Sequence, residues 1–117
     1  MHADAVAIAL EQIDRAAGEE RFAVLAYCFM PDHLHLLAEG LCESSHLKAF
    51  VKRAKQYSGY YYSQRYRARL WQRYVYEHVV RDDETVDDVV RYIVENPVRA
   101  GLVERVADYR FVGSPRG

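Results

Sequence analysis

Apolar residues recur along the chain in two rhythms. Over residues 3–17, Val6, Leu10, Ile13 and Ala17 follow helical spacing, and Gly18 with Glu19 and Glu20 ends the run. Residues 21–30, RFAVLAYCFM, are rich in aromatic and apolar side chains and predict a buried strand. Pro31 and Asp32 predict a tight turn, and residues 33–39, HLHLLAE, its antiparallel partner. A long helix is expected over residues 45–66. Leu47, Phe50, Val51, Ala54, Ser58 and Tyr61 form its core stripe, with Lys48, Lys52 and Lys55 on another side. Gly59 weakens that helix, so a bend or break is expected near it. Residues 70–80, LWQRYVYEHVV, read as a strand. The polar turn RDDE leads to a helix over 84–96, capped by Asp82 or Asp83 and stopped by Pro97, with Gly101 in the exit turn. The tail from 104 is expected to pack loosely and residues 113–117 to be disordered. Helix, strand, strand, helix, strand, helix is an α+β order: an antiparallel sheet with helices mainly on one face.

Bulk properties narrow the class. A chain of 117 residues, half of them apolar, fits one compact domain, with an ordered core of about 3–112. No apolar run reaches the ~18 residues of a membrane span, and no signal layout opens the chain. The expectation is a soluble, cytoplasmic protein without membrane partners. Cys28 and Cys42 lack metal-type spacing and read as reduced thiols.

Net charge is −1, which does not mark a nucleic-acid binder, but its distribution is uneven. No acid lies between Glu43 and Glu77. That gap holds Lys48, Lys52, Arg53, Lys55, Arg65, Arg67, Arg69 and Arg73, half of the 16 basic residues, and tyrosines at 57, 60, 61, 62 and 66 join them. Basic side chains neutralise phosphates and aromatic faces stack unpaired bases. The competing reading is a solvated helix face with core tyrosines.

The chemistry gathers around MPDHLHLL, Met30–Leu37. In a strand, His33 and His35 project to one side and Leu34 and Leu36 to the other. Two imidazoles so spaced can share a metal ion. On the helix over 84–96, Val86, Val89, Val90 and Ile93 form the apolar stripe, and Tyr92 and Asn96 fall together on its border, one turn apart. A divalent ion on His33 and His35 would polarise a phosphate oxygen, Asn96 would add its side-chain oxygen, and Tyr92 would supply the nucleophile. An unperturbed phenol titrates near about 10, so attack needs the ion's field or a base. The sequence identifies no base; Asp88, one turn before Tyr92, reads as an exposed helix acid.

YCFMPDHLHLL and LWQRYVYEHVVRDDETVDDVVRYIVENPVRAGLV, with their separation, resemble the REP-associated tyrosine transposases, single-tyrosine transposases of the HUH endonuclease superfamily. The resemblance covers roughly residues 5–105. It implies a ferredoxin-like fold, Mg²⁺ or Mn²⁺ dependence, and single-stranded DNA substrates that form hairpins at palindromic repeats. By position, His33 and His35 are similar to the family's two metal-binding histidines, Tyr92 to its nucleophile and Asn96 to its third metal-side residue. The resemblance also implies a DNA-facing surface from Lys48 to Arg69, with Arg99 in RAGL a weaker candidate, and His78 fits its pattern without an assigned role. Mn²⁺ suits two histidines with oxygen ligands, whereas Mg²⁺ enters mainly through the resemblance.

Family members usually begin with a strand before the first helix, and here the sheet is expected to lack it. Three outcomes stay open: strand 70–80 pairs directly with 33–39, another protomer contributes, or the chain is a truncated form. Monomer and homodimer both stay open. The alternative function is a non-catalytic binder of structured single-stranded nucleic acid.

Overall fold

A computed structural model of the chain describes residues 3–73, 75–77 and 85–114. Helix α1 (Ala3–Glu20) is followed by strands β1 (Phe22–Phe29) and β2 (His33–Gly40), then helix α2 (Leu47–Tyr66). A short helix α3 (Leu70–Arg73) precedes strand β3 (Val75–Glu77). Helices α4 (Val86–Val94) and α5 (Asn96–Arg99), a 3₁₀ turn (Val106–Asp108) and strand β4 (Val112–Gly113) complete the order.

The sheet order is β3-β2-β1-β4. β1 pairs antiparallel with β2 and with β4, and β3 runs parallel to β2, with Val75 opposite His33 and Glu77 opposite His35. The fold is α+β, as the element order predicts. Of the three outcomes left open, direct pairing of the later strand with the histidine strand is the one observed.

One irregularity decides which side chains go where. The β1–β2 register shifts between Val24 and Ala26, so Leu25 is an extra residue. A bulge of this kind inverts the alternation beyond it. Phe22 and Val24, then Tyr27 and Phe29, therefore face α1 and α2, while Leu25, Ala26, Cys28 and Met30 face α4.

The first face carries the larger core. Val6, Ala9, Ile13, Ala16 and Ala17 of α1 pack with Phe50 and Ala54 of α2 on Phe22, Phe29, Leu34 and Leu36. Phe22 and Phe50 stack with ring centroids 4.8 Å apart. Leu47 and Tyr61, expected in the core stripe of α2, are instead exposed, because only Phe50, Ala54 and Ser58 turn fully inward. α1 and α2 lie on one face as expected, and α4 covers the other through Val89 and Ile93.

Further expectations are corrected. α2 runs unbroken through Gly59, which packs beside the Trp71 ring; a Cβ there would lie 3.4 Å from it, an ordinary contact. The Trp71 indole donates to Ser58 Oγ at 3.0 Å. That docking explains why Leu70 and Trp71 belong to a short helix rather than to the expected strand, which is reduced to Val75–Glu77. Residues 78–80 of that expected strand, His78 among them, lie outside the described residues, as do Asp82 and Asp83.

The cap of α4 is Thr85, whose hydroxyl accepts from the Asp88 N–H at 3.1 Å. Pro97 does not simply stop a helix over 84–96: α4 ends at Val94, and buried Pro97 sits in the first turn of α5, where its missing N–H costs nothing. Gly101 takes the left-handed conformation expected of the exit turn, φ 76°.

The tail is not loose either. The Phe29 N–H donates to the Phe111 carbonyl at 2.9 Å, Gly113 lies in β4, and Ser114 Oγ donates to the Leu25 carbonyl at 2.8 Å. No helix among the described residues is long and apolar enough to cross a membrane.

Candidate active site

β2 alternates cleanly. Leu34 and Leu36 are buried in the α1–α2 core, so His33 and His35 project from the opposite face, half-buried. A tight turn brings them in, closed by the Met30 N–H donating to the His33 carbonyl at 2.8 Å. The two imidazoles converge: Nε2 of His33 lies 2.9 Å from Nε2 of His35, with the rings at 80°.

On the far side of His33, Nδ1 lies 2.6 Å from Asp32 Oδ1. In the neutral ring that hydrogen bond places the Nδ1 proton toward the carboxylate and turns the Nε2 lone pair to His35 Nε2; in the protonated ring both nitrogens carry a proton. The same bond, with the imidazole's charge, holds the Asp32 carboxyl below the usual carboxylate range.

This geometry can be tested against a shared ion. Octahedral ligands about 2.1 Å from a metal lie about 3.0 Å from their neighbours. Tetrahedral ligands at that distance lie about 3.4 Å apart. The observed 2.9 Å separation is that of an imidazole–imidazole hydrogen bond, and it is short enough for both rings to reach one ion. An Asp–His–metal arrangement is also a common way to fix a ligating imidazole. Two histidines are not a complete site, and the described residues hold no group of three or more His, Cys, Asp or Glu able to take a metal. A metal held there would need ligands beyond these two histidines.

Tyr92 reaches the same side of the sheet. α4 packs on β1 and on β2, burying Val89 and Ile93 against Leu25, Ala26, Cys28, Met30 and Leu37. Tyr92, beside Ile93, is left at the margin with 58% exposure. Asn96 opens α5 rather than closing the expected helix over 84–96, because the helix is interrupted at Glu95, which itself keeps a right-handed helical conformation.

What rejoins the two is Arg99. Its guanidinium lies 3.8 Å above the Tyr92 ring, donates to the Tyr92 carbonyl, and reaches Asn96 Oδ1 at 3.2 Å. Burial pushes the Cys28 thiol up to about 12, while the nearby Arg99 charge pulls it down. Cys28 is the cross-strand partner of His35.

The basic residues are distributed differently. Lys48, Lys52 and Lys55 are exposed on α2, on the face of the sheet away from the histidines. Arg53 binds Glu19 at 3.0 Å and Glu20 at 2.9 Å and so ties α2 to α1. Arg65 lies 5.2 Å from the Tyr66 ring centroid, and Arg67 takes a left-handed conformation that closes α2. Arg69 is exposed beyond it. Tyr60 and Tyr61 of α2 are also exposed.

Reading the sequence missed Asp32 as a partner of His33 and the internal role of Arg99. For Asp32 a signal was present, an acid directly before the first histidine. For Arg99, i+3 spacing from Asn96 was the available hint.

Comparison with known proteins bears on this arrangement. A Haemophilus influenzae protein named "Putative REP-associated tyrosine transposase" is 31% identical over 103 residues, covering 77% of this chain and 57% of that protein. The chain thus spans a little over half the length of this relative. No solved structure matches it significantly. The family model described as "Transposase IS200 like" matches residues 3–96, a stretch that contains the histidine strand, all of α4 and Asn96. With most of its length matched, and both halves of the candidate site inside the match, the chain belongs to the IS200-like transposase family.

Proposed function

We propose that this protein is a divalent-metal-dependent nickase and strand transferase acting on single-stranded DNA that folds into hairpins. The observation that carries the reading is the convergence of His33 and His35 at 2.9 Å on the sheet face covered by the Tyr92 helix. His33, His35 and the side-chain oxygen of Asn96 would hold Mg²⁺ or Mn²⁺. When bound, the ion supplies a Lewis-acid contact to a non-bridging phosphate oxygen.

The rest is done by the chain. Asp32 orients His33. The exposed phenol of Tyr92 attacks phosphorus, its oxygen forming the new ester bond as the bond to the 3′ oxygen breaks. The products are a 5′-phosphotyrosine and a free 3′-OH. One phosphoester has replaced another, so attack by a 3′-OH on the phosphotyrosine rejoins a strand without ATP. The name of the Haemophilus influenzae relative supports palindromic repeats as the substrate class.

Incubation with a hairpin oligonucleotide and Mn²⁺ should give a covalent protein–DNA band on a denaturing gel. The band should vanish in Tyr92→Phe and with EDTA. If wild type gives none, this activity is wrong for the chain.

A second reading, binding without cleavage, draws on exposed Lys48, Lys52 and Lys55, and on Tyr60 and Tyr61, which are exposed elsewhere on α2. Hairpin binding that survives EDTA and His33→Ala, without an adduct, would favour it.

A further inference from the structure

Arg99 invites the reading of a free, DNA-facing cation, since it is exposed and belongs to a basic segment. Its contacts point elsewhere. One guanidinium meets three groups: the face of the Tyr92 ring, the Tyr92 carbonyl and Asn96 Oδ1. Each contact has its own physical reason. The Tyr92 carbonyl belongs to the last turn of α4, where backbone acceptors lack helical partners and a cation is favoured by the helix dipole. The ring face attracts a planar cation. The amide oxygen of Asn96 has two lone pairs, so accepting from Arg99 uses one and leaves the other.

These contacts span the junction of two helices. α4, which carries Tyr92, ends at Val94, and Asn96 opens α5, whose Pro97 has no N–H to continue the α4 hydrogen-bond ladder. A flexible Asn side chain can also present either its oxygen or its NH₂ to a neighbour. A guanidinium donating to Asn96 selects the orientation that turns the oxygen toward Arg99 and ties it to the residue that carries the phenol.

We infer that Arg99 is a positioning residue that holds Tyr92 and the Asn96 oxygen in one fixed arrangement, rather than a contact to the DNA backbone. The inference rests on the nickase reading above. Lysine is not an equivalent substitute, because its ammonium is a single point charge without the planar fork.

Two measurements test it. In wild-type protein, NMR should show the Arg99 Cδ protons shifted upfield by the Tyr92 ring, and Tyr92→Ala should return them to ordinary values. Hairpin affinity and the single-turnover rate of adduct formation at saturating DNA should then be measured for Arg99→Ala and Arg99→Lys. The expected result for Arg99→Ala is a rate lower by about 10–100-fold, since misplacement by about 1 Å can cost ~100-fold. Its Kd should stay within about twofold of wild type, since a merely lost phosphate contact would act on binding instead. Arg99→Lys should recover part of the rate.

Weakened affinity with an unchanged saturating rate would overturn the inference and return Arg99 to the DNA contacts. Absence of the ring-current shift would overturn it too. If wild type forms no adduct, the nickase reading fails and takes this role with it. If wild type is active and Arg99→Ala is equally fast, only the positioning role fails.

Discussion

The two faces of the sheet use the same strands for opposite ends. On the α1–α2 face, β1 and β2 contribute Phe22, Phe29, Leu34 and Leu36, all buried among helix side chains. Polar contacts there are ties between helices, such as Arg53 with Glu19 and Glu20. On the α4 face the same strands present Cys28, Leu37 and the half-buried pair His33 and His35. A single helix with two buried residues, Val89 and Ile93, covers that face, and its margin is left to exposed Tyr92. One residue's difference in parity separates a core side chain from a candidate metal ligand. Stability and chemistry can therefore be perturbed separately, by choosing odd or even positions of β2.

Substitutions should sort by face. The largest effect is expected on the core side. Phe50→Ala removes a fully buried ring stacked on Phe22 and should lower unfolding free energy by about 3–5 kcal/mol, read from urea denaturation. His35→Ala should leave unfolding within about 1 kcal/mol of wild type, as half-buried sites usually do, yet abolish Mn²⁺ binding measured by calorimetry. Asp32→Asn should weaken Mn²⁺ affinity by about 10–100-fold, since it loosens the His33 ring without removing a ligand. Full Mn²⁺ affinity in both variants would mean that the two faces do not differ in this way.

The two cysteines sharpen the contrast further. Cys28 lies inside the α4 face, and burial pushes its thiol up to about 12. Cys42 is exposed beyond β2, where hydrogen bonds from Ser44, Ser45 and Arg21 lower it to about 6. A lowered pKa means that thiolate accumulates as pH rises through that value. Iodoacetamide labelling of Cys42 should climb through about pH 6 and level off above it, with Cys28 unlabelled until the protein unfolds. Equal labelling of both thiols in the folded protein would contradict the burial assigned to the α4 face.

The smallest expected effect concerns charge on α2. Lys52→Met should reduce the salt dependence of hairpin binding by about one unit of slope if Lys52 meets a phosphate. Arg53→Met should change it less, because Arg53 is already bound to two glutamates.

Much of this arrangement was legible in the chain. The strand alternation of HLHLL put both histidines on one side, and the stripe of α4 put Tyr92 at its border. Three features were hidden for physical reasons. The bulge at Leu25 changes the parity of β1 without any Gly or Pro to mark it. Leu70 and Trp71 look like strand residues, but the indole finds Ser58 on α2 instead, a tertiary contact that local pattern does not carry. β4 is only two residues long, and its anchors lie at distant positions: the Tyr109 hydroxyl donates to the Phe29 carbonyl, 80 residues away in sequence. Charge misled in a similar way. Arg53 and Arg99 look like free cations in sequence, and both meet internal partners in the fold.

The most direct test is to locate the attachment point of DNA on the protein. After incubation with a hairpin oligonucleotide and Mn²⁺, nuclease trimming and peptide mass spectrometry should find the nucleotide phosphate on Tyr92 alone, and nothing after EDTA treatment. Attachment within the tyrosine cluster of α2, or an adduct on Tyr92 that forms equally well in EDTA, would contradict the assignment of metal-dependent chemistry to the histidine face.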